Sequence, residues 1–102
     1  MSLQLEDNAL LKKQAYINGE WCAADDGATF AVTNPVDGSS LAEVARVGAA
    51  ETARAVEAAH VALQEWRQLP AKARSVYLRK WYELMMDHQE DLARIMTAEQ
   101  GK

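Results

Sequence analysis

The chain has little of what would place it outside the ordinary soluble proteins. Its single cysteine, Cys22, cannot form an internal disulfide, so nothing requires an oxidising compartment. No run approaches the ~20 apolar residues that span a bilayer, and the N-terminal residues lack the apolar run and cleavage site of a signal peptide. We therefore expect a cytoplasmic, soluble polypeptide that does not contact a membrane.

Positive charge is also scarce. Eleven Lys and Arg residues stand against fifteen Asp and Glu residues, which gives a net charge of -4. The basic residues form no cluster with interleaved aromatic residues, which argues against a nucleic-acid partner held through phosphate contacts. The five glycines never approach the spacing of a phosphate-cradling loop.

Residues for catalysis or side-chain metal binding are few. Cys22 has no nearby histidine and does not precede a helix, so it is interpreted as structural. His60 and His88 lie on different predicted helices, without a cysteine or carboxylate at metal-ligand spacing. We assign no catalytic residue and no cofactor-binding residue, and expect no self-sufficient active site.

The first half of the chain reads as short antiparallel strands. Asn18-Gly19 lies between β-forming residues and predicts a tight hairpin, because both central residues of a type I′ turn need positive φ. Thr29 to Thr33 predicts another strand, and Leu41 to Val47 predicts one whose two faces are not clearly apolar and polar. Residues 1–14 form a leucine-dotted lead, either a short helix or an arm lying on a neighbouring surface.

The second half changes to a helical period. Helices are predicted from Ala50 to Arg67, from about Ala71 to about Asp87, and from Glu90 to Gln100, with Gly101 as a C-cap. The fold class is therefore α+β, with two or three short antiparallel strands followed by three helices. The middle helix carries five large residues that we assign to its buried side: Tyr77, Leu78, Trp81, Leu84 and Met85.

Four sequence blocks occur in one order. They are YINGEW at residues 16–21, VTNP at 32–35, the helical stretch that begins GAAETARAVEAAH at 48, and MTAEQGK at 96–102. Together they resemble the N-terminal part of NAD(P)-dependent aldehyde dehydrogenases, most of all the bacterial succinate-semialdehyde dehydrogenases. The resemblance covers nearly the whole chain from Leu10 onward, but only about the first fifth of a typical family member.

The resemblance implies an architecture and a parent activity. Residues 1–14 would be an N-terminal arm near subunit contacts, and residues 15–102 an incomplete N-terminal part of the cofactor-binding domain in an α/β fold. The catalytic domain would be absent. The longer parent would oxidise succinate semialdehyde to succinate with NAD or NADP and would be a homo-oligomer. This chain alone is expected to bind no cofactor and to be inactive.

One site is carried over by the resemblance. Several family members hold a monovalent cation with backbone carbonyls before Asn-Pro and a carboxylate shortly before Gly-Lys. The matching positions are Val32, Thr33 and Glu99, although Glu99 replaces an aspartate often found there and a further ligand would lie beyond Lys102. Oxygen ligands suit such a hard cation.

Two other interpretations stay open. The parent is a related semialdehyde or general aldehyde dehydrogenase, because the substrate-choosing residues are not in this chain. Alternatively, the chain is a free-standing, non-catalytic interaction module. A module predicts a cooperatively folded monomer or small oligomer, whereas a segment of an enzyme predicts an exposed apolar helical face and self-association.

Overall fold

The computed structural model describes residues 3–102. A 3₁₀ turn at Asn8–Leu10 precedes four strands: β1 (Ala15–Ile17), β2 (Glu20–Cys22), β3 (Thr29–Thr33) and β4 (Ser40–Ala45). Three helices follow: α1 (Ala49–Trp66), α2 (Ala71–Asp87) and α3 (Gln89–Gln100). The predicted α+β order is confirmed, with four strands in two small sheets within the described residues instead of the two or three expected.

The first hairpin forms where Asn-Gly predicted it. β1 and β2 pair antiparallel, with Ile17 opposite Glu20, and the turn residues Asn18 and Gly19 have φ of 52° and 78°. These positive values are those of a type I′ turn, whose twist matches the strands. The rings of Tyr16 and Trp21 face each other across the hairpin with centroids 4.9 Å apart.

The second hairpin pairs β3 with β4. Thr29 lies opposite Ala45 and Val32 opposite Ala42, but Thr33 lies opposite Ser40, so the register shifts there by one residue. The shift is a β-bulge, which disturbs the regular hydrogen-bond ladder. The observed β4 begins one residue earlier and ends two residues earlier than the strand predicted from Leu41 to Val47.

The helix boundaries follow local signals. Gly48 caps α1, Pro70 precedes α2, and Gly101 ends α3 in the left-handed conformation at φ 72°. The helix ends agree with the predicted ones to within one residue, and the predicted C-cap at Gly101 is confirmed. His88 alone separates α2 from α3, with φ −110° and ψ 22°. No helix in residues 3–102 is long and apolar enough to cross a membrane.

A hydrophobic core is almost absent from the described chain. Its accessible surface is 7995 Å², whereas a compact protein of this mass exposes about 5700 Å². The radius of gyration is 16.5 Å, against about 13 Å for a compact domain of this length. Only three of the described residues are buried, Ala24, Glu51 and Asp91, and two of these are carboxylates.

The predicted buried side of α2 is wrong for this chain. Tyr77 and Trp81 are each 61% exposed, and Leu78, Leu84 and Met85 are exposed as well. The helical period correctly identified which side chains share an apolar face. It carried no information on whether another element covers that face, and within the described residues none does.

Candidate functional site

The predicted cation ligands lie on two neighbouring segments. Val32 and Thr33 end β3 at its bulge, and Glu99 is exposed in the last turn of α3. Because the bulge breaks the regular ladder at Val32 and Thr33, their carbonyls lie where strand pairing is least regular.

Gly101 brings the end of α3 against the turn that follows β3. A Cβ atom at Gly101 would lie 2.8 Å from Cγ of Pro35 and 3.0 Å from Cγ2 of Val36. The contact places the last turn of α3 beside the residues that directly follow Thr33. The two segments that carry the predicted cation ligands are therefore adjacent in the fold. The donor chemistry, two carbonyls and one carboxylate, fits a hard monovalent cation, and the cation itself remains a prediction.

The turn itself is rigidly hydrogen-bonded. The Asn34 amide donates to the Ser39 carbonyl at 2.8 Å, and the Gly38 amide donates to the Asn34 carbonyl at 2.7 Å. The Ser39 hydroxyl and amide both donate to Asp37 Oδ1, at 2.7 and 2.9 Å, and these bonds lower the pKa of Asp37. A cavity of about 830 Å³ lies between this turn, α3 and the N-terminal residues Leu3 and Gln4. These hydrogen bonds hold the geometry of the turn beside this junction.

Two buried carboxylates hold distant backbone segments. Glu51, in the first turn of α1, accepts from the amides of Gly48 at 3.2 Å and Asp25 at 3.1 Å. Asp91, in the first turn of α3, accepts from the amides of Glu6 at 2.9 Å and Asp7 at 2.8 Å. The backbone amides of Asp25 and Glu6 are the leading causes that lower the pKa of Glu51 and Asp91, respectively. Folding therefore favours the ionised form of both carboxylates.

Sequence reasoning missed these two roles. It linked neither Glu51 nor Asp91 to a distant backbone segment. An acidic residue at the third helical position is a known capping signal, and both carboxylates occupy it. Their distant partners have no local signal, because Glu6 and Asp25 are far away in sequence.

A surface ion pair joins α1 to the loop between β2 and β3. Arg54 Nη1 and Nη2 donate to Asp25 Oδ2 and Oδ1 at 2.9 and 2.7 Å. The hydrogen bond from Arg54 lowers the pKa of Asp25, and the same bond raises the pKa of Arg54. Both side chains are about half exposed, so solvent screens the pair and its contribution to stability is small.

The reactive side chains do not converge. Cys22 is half-buried opposite Ala15 in the first hairpin, His60 is exposed on α1, and His88 is half-buried between α2 and α3. Within residues 3–102 no group of three or more His, Cys, Asp or Glu side chains is arranged to hold a metal ion.

The helix α2 carries a broad exposed apolar surface. On α2, successive residues turn by about 100°, so Tyr77, Leu78, Trp81, Leu84 and Met85 fall within about 120° of its circumference with Trp81 at the centre. An open cavity of about 720 Å³ lies at the junction of α1 and α2, where the rings of Trp66 and Tyr77 stand 5.8 Å apart. Single exposed apolar residues are ordinary, but a contiguous face of this width indicates a surface that another element covers.

The family model of the aldehyde dehydrogenase family matches residues 21–102, which is most of the chain. The chain belongs to the aldehyde dehydrogenase family. The resemblance inferred from the four sequence blocks is therefore confirmed, and with it membership in a family of oxidoreductases.

Three similar proteins show how the chain relates to other aldehyde dehydrogenases. It is 57% identical over 100 residues to glutarate-semialdehyde dehydrogenase of Pseudomonas putida, covering 98% of this chain and 21% of that protein. It is 52% identical to succinate-semialdehyde dehydrogenase [NADP(+)] of Escherichia coli, with the same coverage. A crystal structure of an NADP-dependent enzyme of Escherichia coli superimposes with a TM-score of 0.93 at 52% identity, covering 97% of this chain and 21% of that one. The chain thus spans about a fifth of the length of these aldehyde dehydrogenases.

Proposed function

We propose that this chain is the N-terminal segment of an NAD(P)-dependent semialdehyde dehydrogenase, with succinate semialdehyde as the leading substrate. The exposed apolar face of α2 carries this proposal, because about four-fifths of a relative's length lies outside the part that this chain matches, and such a face would pack against it. A related semialdehyde, glutarate semialdehyde first, is the alternative substrate. A cytoplasmic, homo-oligomeric parent belongs to the same proposal.

The role of this segment in such an enzyme is architectural. Aldehyde oxidation to a carboxylate needs a nucleophile, a hydride acceptor such as the nicotinamide of NAD or NADP, and water as the oxygen donor. We assign none of these tasks to residues 3–102. The segment would instead supply the hairpins and first helices of the cofactor-binding domain, together with the candidate cation ligands Val32, Thr33 and Glu99.

A chimera tests this proposal directly. In it, the chain replaces the matching N-terminal residues of the Pseudomonas putida glutarate-semialdehyde dehydrogenase. We expect a folded, active enzyme that keeps the host's preference between succinate and glutarate semialdehyde, because the substrate-choosing residues are supplied by the host. We expect no turnover by the 102-residue chain alone with either nicotinamide cofactor.

The matched control is the unmodified host enzyme assayed beside the chimera. An insoluble or inactive chimera would contradict the proposal, as would NAD(P)-dependent turnover by the chain alone. The interaction-module interpretation also expects no turnover, but it differs in the association state of the chain alone. It requires a monodisperse species with a cooperative unfolding transition, which sedimentation velocity and urea unfolding would reveal.

A further inference from the structure

Asp91 is the most buried residue described in the chain, with only 3% of its surface exposed. A buried carboxylate is costly unless its oxygens receive hydrogen bonds. Here both oxygens receive one: Oδ1 accepts from the Glu6 amide at 2.9 Å and Oδ2 accepts from the Asp7 amide at 2.8 Å. Bonds from backbone donors to an ionised acceptor are among the stronger hydrogen bonds in proteins.

The donors belong to residues 3–14, here called the N-terminal arm. Between Asp7 and Leu11 the arm makes its own 3₁₀ turn, capped by the Asp7 side chain. At its far end the Lys13 carbonyl accepts from the Ala45 amide of β4 at 2.8 Å. Among the hydrogen bonds described for residues 3–102, those received by Asp91 join the arm to the helices, and the bond to Lys13 joins it to the strands.

We propose that Asp91 is a latch that holds the N-terminal arm on the start of α3, and that losing the latch releases the arm while the helices stay folded. The arm is then a strap between the β3–β4 hairpin and α3. This inference rests on the geometry of the chain and not on the proposed enzymatic function.

A purely local role for Asp91 is the competing explanation. Glu90 and Asp91 both lie in the first turn of α3, where acidic side chains favour the helix dipole. Arg94 also lies near, with Nη1 3.5 Å from Asp91 Oδ1. If this local role were the whole of it, replacing Asp91 would weaken α3 and leave the arm no more exposed than the helix.

Hydrogen exchange of the full 102-residue chain distinguishes the two explanations. In Asp91→Asn the side chain keeps one acceptor oxygen but turns an amide donor toward an amide donor. We expect the Glu6 and Asp7 amides to exchange about tenfold faster or more, with the amides of α3 changed less than twofold. The intrinsic exchange of Glu6 and Asp7 is unaffected, because the substitution is remote in sequence.

Two matched variants control for the loss of charge. Asp87→Asn makes the same change at an exposed position, the last residue of α2, and should leave the arm amides unchanged. Glu51→Gln removes the other buried carboxylate, and should speed exchange at Asp25 and Gly48 without affecting the arm. Equal acceleration of the arm by Asp87→Asn would overturn the latch.

A shortened chain that lacks residues 1–7 separates an effect of Asp91→Asn through the arm from an effect on α3 itself. If Asp91 acts through the arm, Asp91→Asn made in the shortened chain should cause no further change in α3 exchange, because its partners are already gone. A further loss of α3 protection in the shortened chain would show a local helix role and overturn the proposal. Unchanged arm exchange in full-length Asp91→Asn would overturn it equally.

Discussion

Trp81 provides the sharpest test of whether the apolar face of α2 is covered in a longer enzyme. Trp81 is 61% exposed in this chain. Since a tryptophan buries up to about 250 Å², roughly 150 Å² of it stays in contact with water. At about 25 cal/mol per Å², covering that area would contribute about 4 kcal/mol.

The substitution Trp81→Ala should therefore behave differently in two settings. In the 102-residue chain, at concentrations too low for self-association, we expect a change of about 0.5 kcal/mol or less, as for exposed positions generally. In the chimera we expect a loss of about 3 to 5 kcal/mol, as for a buried tryptophan. The assay is the fraction that resists brief proteolysis at increasing urea, measured identically in both settings.

Lys80→Ala is the matched control, since Lys80 neighbours Trp81 but lies on the polar side of α2 and is exposed. It should change stability by no more than about 0.5 kcal/mol in either setting. A Trp81→Ala chimera as stable as the unsubstituted chimera would refute the reasoning, because the face would then be free in the longer enzyme. A large loss in the 102-residue chain alone would show that self-association already covers it.

The remaining predictions concern backbone geometry and pH. In the chimera, Gly101→Ala should lower the free energy of unfolding, measured with urea, by more than Gly27→Ala does. Both alanines would be strained by about 1 to 2 kcal/mol in the left-handed conformation. Only the Cβ at Gly101 would contact Pro35, whereas a Cβ at Gly27 meets nothing within 4 Å. Equal losses of stability would contradict the close contact at Gly101. The pKa values of Asp25, Glu51 and Asp91 are lowered by folding. Their contribution to stability is therefore complete above about pH 5 and is lost as pH falls below about 4. Amide exchange at Glu6 and Asp25, corrected for its intrinsic pH dependence, should show protection lost only in that acid range, and loss between pH 7 and 6 would contradict it.

Local signals account for the parts of the fold that the sequence predicted. Asn18-Gly19 specifies its hairpin because few other residues accept two successive positive φ values. Pro70 and Gly101 mark helix boundaries for equally local reasons, a missing amide donor and a tolerated left-handed conformation. The strand number was underestimated because strands of three residues are too short for a periodic pattern to identify.

Tertiary relations account for what the sequence did not predict. The bonds from Glu6 and Asp7 to Asp91 join segments that are distant along the chain, so no spacing or motif announces them. The contact of Gly101 with Pro35 is equally non-local. The ligand set Val32, Thr33 and Glu99 was carried over from a family resemblance, and the adjacency of its two segments supports it without testing the cation.

The scarcity of buried apolar residues also bears on how such an enzyme would be made. On the proposed function, this segment leaves the ribosome first, with the Trp and Met side chains of α2 uncovered. The remaining four-fifths of a relative's length would follow over roughly 20 to 80 seconds at typical synthesis rates. During that interval the segment would resemble a chaperone client more than a finished domain. Its folding would be completed by the arrival of later sequence and not by its own collapse.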